Sequence, residues 1–137
     1  MVISVFGIFL GGIIEFAHAY LVIHTLNAAA KRAARYGAAE GVSTTEVRDR
    51  VDELLGSTFR PSEATIYVKD AGVFDSAPFN PTAVDYTNLP DIELEDAEPT
   101  QLFAVRVSVP YNEIAIMPTT MWVKDLTLWG GAVMRHE

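Results

Sequence analysis

Cysteine is absent from this chain, which excludes a disulfide scaffold, a thiolate metal site and a cysteine nucleophile together. Positive charge is scarce: ten Lys and Arg stand against eighteen Asp and Glu, for a formal charge of −8. A nucleic-acid surface needs clustered cations, so no nucleic-acid partner is expected. Proline does not occur before Pro61, and within the first 30 residues Glu15 is the sole charged side chain. Histidine is too sparse for a metal pair: His18 and His24 lie six apart, on different faces of a helix, and neither has a carboxylate at i+4. The serines fall in caps and loops, His136 falls in the tail, and no nucleophile-elbow or phosphate-loop glycine pattern occurs. No enzymatic activity and no cofactor are therefore expected.

What is present is unevenly spread. With 137 residues, half of them apolar, the chain has enough material for one folded domain and too little for two. The window 70–100 holds eight acids (Asp70, Asp75, Asp85, Asp91, Glu93, Glu95, Asp96, Glu98) and no base, so it accounts for the whole net charge. The first segment, by contrast, reads as one proline-free helix that runs through Lys31, Arg32 and Arg35 to Tyr36, with Gly37 and Gly41 as stop signals. About 36 residues at 1.5 Å each make a rod about 54 Å long. Its first half is apolar all round, so it needs lipid or neighbouring helices to cover it. A secretory signal peptide is the alternative, but no basic start and no convincing small-residue cleavage site accompany the apolar stretch.

Beyond the stem, Ser43, Thr44 and Thr45 offer an N-cap with Glu46 close behind, and Val47, Val51, Leu54 and Leu55 share one helical stripe ending at Gly56. Pro61 breaks the chain. Residues 64–69 alternate as a half-buried strand. Residues 102–109 alternate more clearly, with Phe103, Val105, Val107 and Val109 on one side and Arg106 and Ser108 on the other, until Pro110. A helical turn over 112–117, closed by Pro118, and a last strand within 122–135 complete the reading, the strand setting Leu126, Leu128 and Gly130 opposite Thr127 and Trp129. The expected class is α+β: a long N-terminal helical stem, a short helix and a small antiparallel sheet of three or four strands. The stem takes residues 1–38 and an α+β head takes 39–137, with an acidic loop at 70–101 too long for a hairpin turn.

The stretch GIIEFAHAYLVIHTLNAAAKRAARYGAAEG, residues 12–41, resembles the TadE-like pseudopilins of tight-adherence, type IV pilus-like systems. The likeness rests on a Gly-x-x-Glu-Phe signature and on an Asn-Ala-Ala region followed by arginines. The matching positions are Gly12, Glu15, Phe16, Tyr20, Asn27, Ala28, Ala29, Arg32, Ala34 and Arg35. The ending is similar too, with Val-Pro-Tyr at 109–111 and Met-Arg-x-Glu at 134–137. The resemblance covers about the first 56 and the last 35 residues. It implies a pilin-like fold, a stem held in the inner membrane before assembly, a pilus assembly machinery as partner, and a homo-oligomeric helical filament at the cell surface, for adhesion or attachment. It also implies processing by a prepilin-type peptidase, a step for which no residue upstream of Gly7 supplies the basic leader or processed glycine.

Apart from the resemblance, the stem has features that suit helix packing. Gly7 and Gly11 form a small-x-x-x-small pair with Gly12 beside it, although a glycine-tolerant apolar helix gives the same pattern by chance. Glu15 is the most informative residue, because a carboxylate in an apolar helix costs several kcal/mol unless it is protonated or paired. His18, at i+3, or an amine or basic side chain of an adjacent subunit, is the expected partner, with a carboxyl protonated in place as the alternative. In the acidic loop, Asp91, Glu93, Glu95 and Asp96 are candidate calcium ligands without the EF-hand order or its glycine; a solvated outward loop is the default. Phe74, Phe79 and Tyr86 suggest that part of this loop packs onto its own sheet or a neighbour.

Lys31, Arg32 and Arg35 would by the positive-inside rule hold the head in the cytoplasm, whereas a pilin-like protein needs the opposite, so orientation rests on the resemblance. The expectation is a structural subunit of a pilus-like filament. A membrane-anchored minor pseudopilin that assists assembly is the first alternative, and a membrane-anchored calcium- or ligand-binding module the second.

Overall fold

The structure, a computed structural model, describes residues 1–60, 63–76, 78, 80–117 and 120–137. Pro61, Phe79 and Pro118, each given a role above, lie outside the described residues. A single helix, α1, spans Val2–Gly37, with the long unbroken run its composition predicts. Gly37 serves packing: a Cβ there would come within 2.6 Å of Val47 Cγ2 and 3.0 Å of Leu94 Cδ1. Gly41 supplies the left-handed turn at φ +80° that reverses the chain.

Helix α2, Thr44–Leu55, opens with a complete capping box: Glu46 N–H donates to the Ser43 hydroxyl while Ser43 N–H donates to the Glu46 carboxylate. It buries Val47, Val51 and Leu55 against α1. Three antiparallel strands follow, β1 (Thr65–Asp70), β2 (Leu102–Pro110) and β3 (Thr127–Arg135), in the order β1-β2-β3. Their register pairs Val68 with Val105, Val105 with Ala132 and Val107 with Gly130. One face of the sheet therefore carries Phe103, Val105, Val107, Val109 and Leu128 toward α1, and the fold is α+β. A helical turn, α3 (Tyr111–Ile114), follows β2 directly.

Ser108 lies on the outer side of β2, as its alternation predicts, and is nonetheless buried, as is Ala104, because β2 is the central strand; part of the 70–101 loop folds over this outer face. There the Arg106 guanidinium lies 4.3 Å from the centre of the Tyr86 ring and 4.9 Å from that of Trp129, while the Phe74 and Tyr86 rings are 5.8 Å apart. The last strand begins at Thr127, not near 122, because the N–H groups of Met121, Trp122 and Val123 point to a side-chain carboxylate on α1 and are lost to the ladder.

A single hydrophobic core crosses the expected boundary at residue 38. Val22, Leu26, Ala29, Ala30, Ala33 and Ala34 of α1 share it with the sheet and α2. The alanines let the strands approach closely, and β3 makes the closest approach: a Cβ at Gly130 would sit 2.5 Å from the Leu26 carbonyl carbon and 2.6 Å from the Asn27 nitrogen. The C-terminal tail is docked as well. Thr100 N–H donates to the His136 carbonyl and Glu137 N–H to that of Ala38, leaving the His136 ring buried with no hydrogen-bond partner for either nitrogen among the described residues.

Candidate functional site

Glu15 sits where α1 passes from bare to covered. Its carboxylate, 3% exposed, accepts three consecutive backbone N–H groups: Val123 at 2.8 Å, Met121 at 3.2 Å, and Trp122 at 3.2 and 3.3 Å from its two oxygens. The partner expected in His18 or in an adjacent subunit is thus found in the chain's own backbone. Three donors aimed at one anion form a nest, and charge-assisted bonds of this kind are shorter and stronger than neutral ones.

His18 turns instead to Tyr111. The Tyr111 hydroxyl donates to the Glu15 backbone carbonyl at 3.2 Å and lies 3.3 Å from His18 Nδ1. Burial, and after it the Glu15 carboxylate, push the Tyr111 phenol above its ordinary range, which keeps the hydroxyl protonated. The loop's far end is fixed by a reciprocal pair: Asn112 Nδ2 donates to the Asp125 carboxylate at 2.7 Å and Asp125 N–H to Asn112 Oδ1 at 3.1 Å.

Around this clamp the glycines divide. Gly12 lies under the Trp122 indole, where a Cβ would meet Nε1 at 3.0 Å, and Gly11 faces the Met117 methyl at 3.6 Å. Gly7 faces open space. Ser4, Gly7, Gly11, Met117 and Met121 are among the residues lining a groove of about 290 Å³ between stem and loop. Phe16 and Tyr20 point away from the clamp and are exposed, with Tyr20 edge-on to His24 at 4.3 Å. Asn27, one of the positions that carry the family resemblance, accepts the Gly131 N–H at 3.0 Å and so ties α1 to β3 of its own chain. Arg32 and Arg35 are exposed and take part in none of the ion pairs among the described residues.

The acidic candidates do not converge. Asp91 pairs with Lys69 at 2.6 Å, which holds its carboxyl below the usual range. Glu93 accepts the Thr44 N–H at 2.7 Å at the start of α2, and that bond lowers its pKa. Glu95 and Asp96 are exposed on a single 3-10 turn, Leu94–Asp96. Among the described residues no three His, Asp or Glu side chains group to hold a metal ion, so the calcium candidates serve loop docking where they have a partner. The loop is accordingly more than a solvated excursion: Leu94 is fully buried, and the Thr44 hydroxyl bridges the Ile92 carbonyl and the Leu94 N–H.

Sequence reasoning missed Tyr111 as a structural hub and the segment 121–123 as the partner of Glu15. Backbone donors have no side-chain signature. No family model, curated protein or solved structure matches this chain. Its class thus rests on the fold and site alone: an α+β head whose N-terminal helix is long and apolar enough to cross a membrane and is compatible with membrane insertion.

Proposed function

We propose that the chain is a structural subunit of an extracellular, type IV pilus-like filament, related to the TadE-like pseudopilins, in which N-terminal stems bundle in the core and heads form the wall. The observation that carries this reading is the bare end of α1. Large apolar side chains from Met1 through Leu10 are exposed, Phe6 at 58% and Phe9 at 64%. Such a surface is satisfied by lipid while the subunit is stored in the inner membrane and by neighbouring stems after assembly. Gly7, which faces open space, supports close approach of a second helix at that level. Electron microscopy of sheared cell-surface material, with antibody to the head, tests the proposal: labelled filaments are expected, and unlabelled or absent filaments contradict it.

A second reading is a membrane-anchored minor pseudopilin that assists assembly. The clamp favours it, because a stem carboxylate already held by three N–H groups of its own chain is withheld from a neighbour. Copy number per filament separates the two, many for a structural subunit and few or none for an assistant.

A further inference from the structure

The apolar surface of the stem does not end where the head begins. On the face of α1 away from the head, Ile13, Ile14, Phe16, Tyr20 and Leu21 are all exposed, and no Lys or Arg occurs before Lys31. On the opposite side, at the level of Gly11 to Glu15, the head contributes exposed apolar groups of its own: Ile116 at 68%, Met121 at 63% and Trp122 at 53%. The two sets form one belt around the molecule. Counted back from Leu21, a helix crossing the hydrocarbon of a bilayer takes about 20 residues, and that stretch includes Gly11, Gly12 and Glu15, the residues on which the loop rests.

We infer that the segment bearing Met121 and Trp122 enters the head-side leaflet of the bilayer beside the stem, with Glu15 as the acceptor that makes this possible. The inference rests on the reading that α1 is held in a membrane. Irregular backbone at membrane depth is tolerated only where its polar groups are satisfied by protein. The N–H groups of 121–123 meet that condition through one carboxylate, which gives a charge in an apolar helix its purpose. Tyr20 stands at the level where aromatic side chains anchor at a membrane surface, and Trp122, which covers Gly12 eight residues back along α1, lies about 12 Å deeper, among the acyl chains. Continuity with the bare stem favours lipid as the occupant over a second copy of the chain. A membrane contact of this kind fixes the tilt of the head before assembly and must be given up on leaving the bilayer.

The test uses the full chain in phosphatidylethanolamine and phosphatidylglycerol vesicles carrying spin-labelled lipids. In the Trp129→Phe variant Trp122 is the sole tryptophan, and a stem reporter is made by Phe6→Trp with both native tryptophans replaced by Phe. Labels deep in the acyl chains are expected to quench Trp122 several-fold more than Trp129 of the Trp122→Phe variant, and to quench the stem reporter as well. Because the chain has no cysteine, Ile116→Cys and Ser76→Cys give a second readout with native tryptophans, in which a water-soluble maleimide modifies the Ser76 position and spares the Ile116 position. If the stem reporter is quenched but Trp122 is not, and both cysteines react equally, the loop inference falls and the stem reading stands. If neither the stem reporter nor Trp122 is quenched, both fall. If Trp122 is insensitive to lipid labels yet becomes shielded from aqueous quencher as the protein-to-lipid ratio rises, a second copy covers it and the inference is overturned.

Discussion

The two ends of α1 are built from the same kinds of residue and meet opposite fates. From Ala19 to Ala34 one stripe of the helix is buried under the chain's own sheet and α2, whereas from Met1 to Leu10 the large apolar side chains are exposed, and the head approaches only across the groove that Ser4, Gly7 and Ile8 line with Met117 and Met121. Hydrophobicity does not separate them, for the bare end is at least as apolar. The separation comes from side-chain size and from partners: alanines at 29, 30, 33 and 34 admit β3 and α2 to close range, and Gly130 on β3 completes the fit, while the bulk at Phe6 and Phe9 stays exposed. One helix thus holds an intramolecular core and an intermolecular surface end to end, with Glu15 at the junction.

The comparison breaks most sharply at glycine. Gly130→Val drives side-chain atoms into the Leu26 and Asn27 backbone, which cannot give as a flexible side chain can, so a loss of more than about 3 kcal/mol or failure to fold cooperatively is expected in denaturant unfolding. Gly7→Ala, by contrast, leaves the head's stability unchanged, since its Cβ meets nothing within 4 Å. Next in size, Leu26→Ala empties a fully buried position and costs about 2 to 5 kcal/mol, against almost nothing for Leu10→Ala in the same unfolding measurement.

Tyr111→Phe keeps the ring and deletes the hydroxyl that joins the Glu15 carbonyl to His18, for an expected loss of about 1 kcal/mol and a lowered denaturant midpoint. The smallest effect is acid sensitivity away from the stem. Asp91 and Glu93 both have folded pKa values below their unfolded ones, so the stability they supply is present above about pH 4 to 4.5 and is lost as pH falls through the folded values. Asp91→Asn should flatten part of that acid limb in thermal melts, modestly and less so at high salt, because the carboxylate is exposed.

Much of the fold was legible because it is written in local pattern. The proline-free stem, the Ser43 and Glu46 capping box and the alternation of Phe103 to Val109 each name an element and its buried face. The site was legible only in part. Glu15 stood out as a charge needing a partner, but backbone N–H groups from 106 to 108 residues away leave no trace in residue type. The bond from Gly131 N–H to Asn27, 104 residues away in the chain, was equally invisible. His136, read as a tail residue, is buried because the tail closes against Gln101 and Ala38 through main-chain bonds, which no pattern in the last two residues announces.

The claim that α1 divides near Glu15 between its own head and other molecules is tested most directly by truncation. In mild detergent, which the exposed Ile13, Phe16 and Leu21 still require, residues 12–137 should unfold in one cooperative transition, while residues 39–137, deprived of Val22, Leu26 and the buried alanines, should show no such transition. Cooperative folding of 39–137 alone, or association of 12–137 as strong as that of the full chain, would contradict the account.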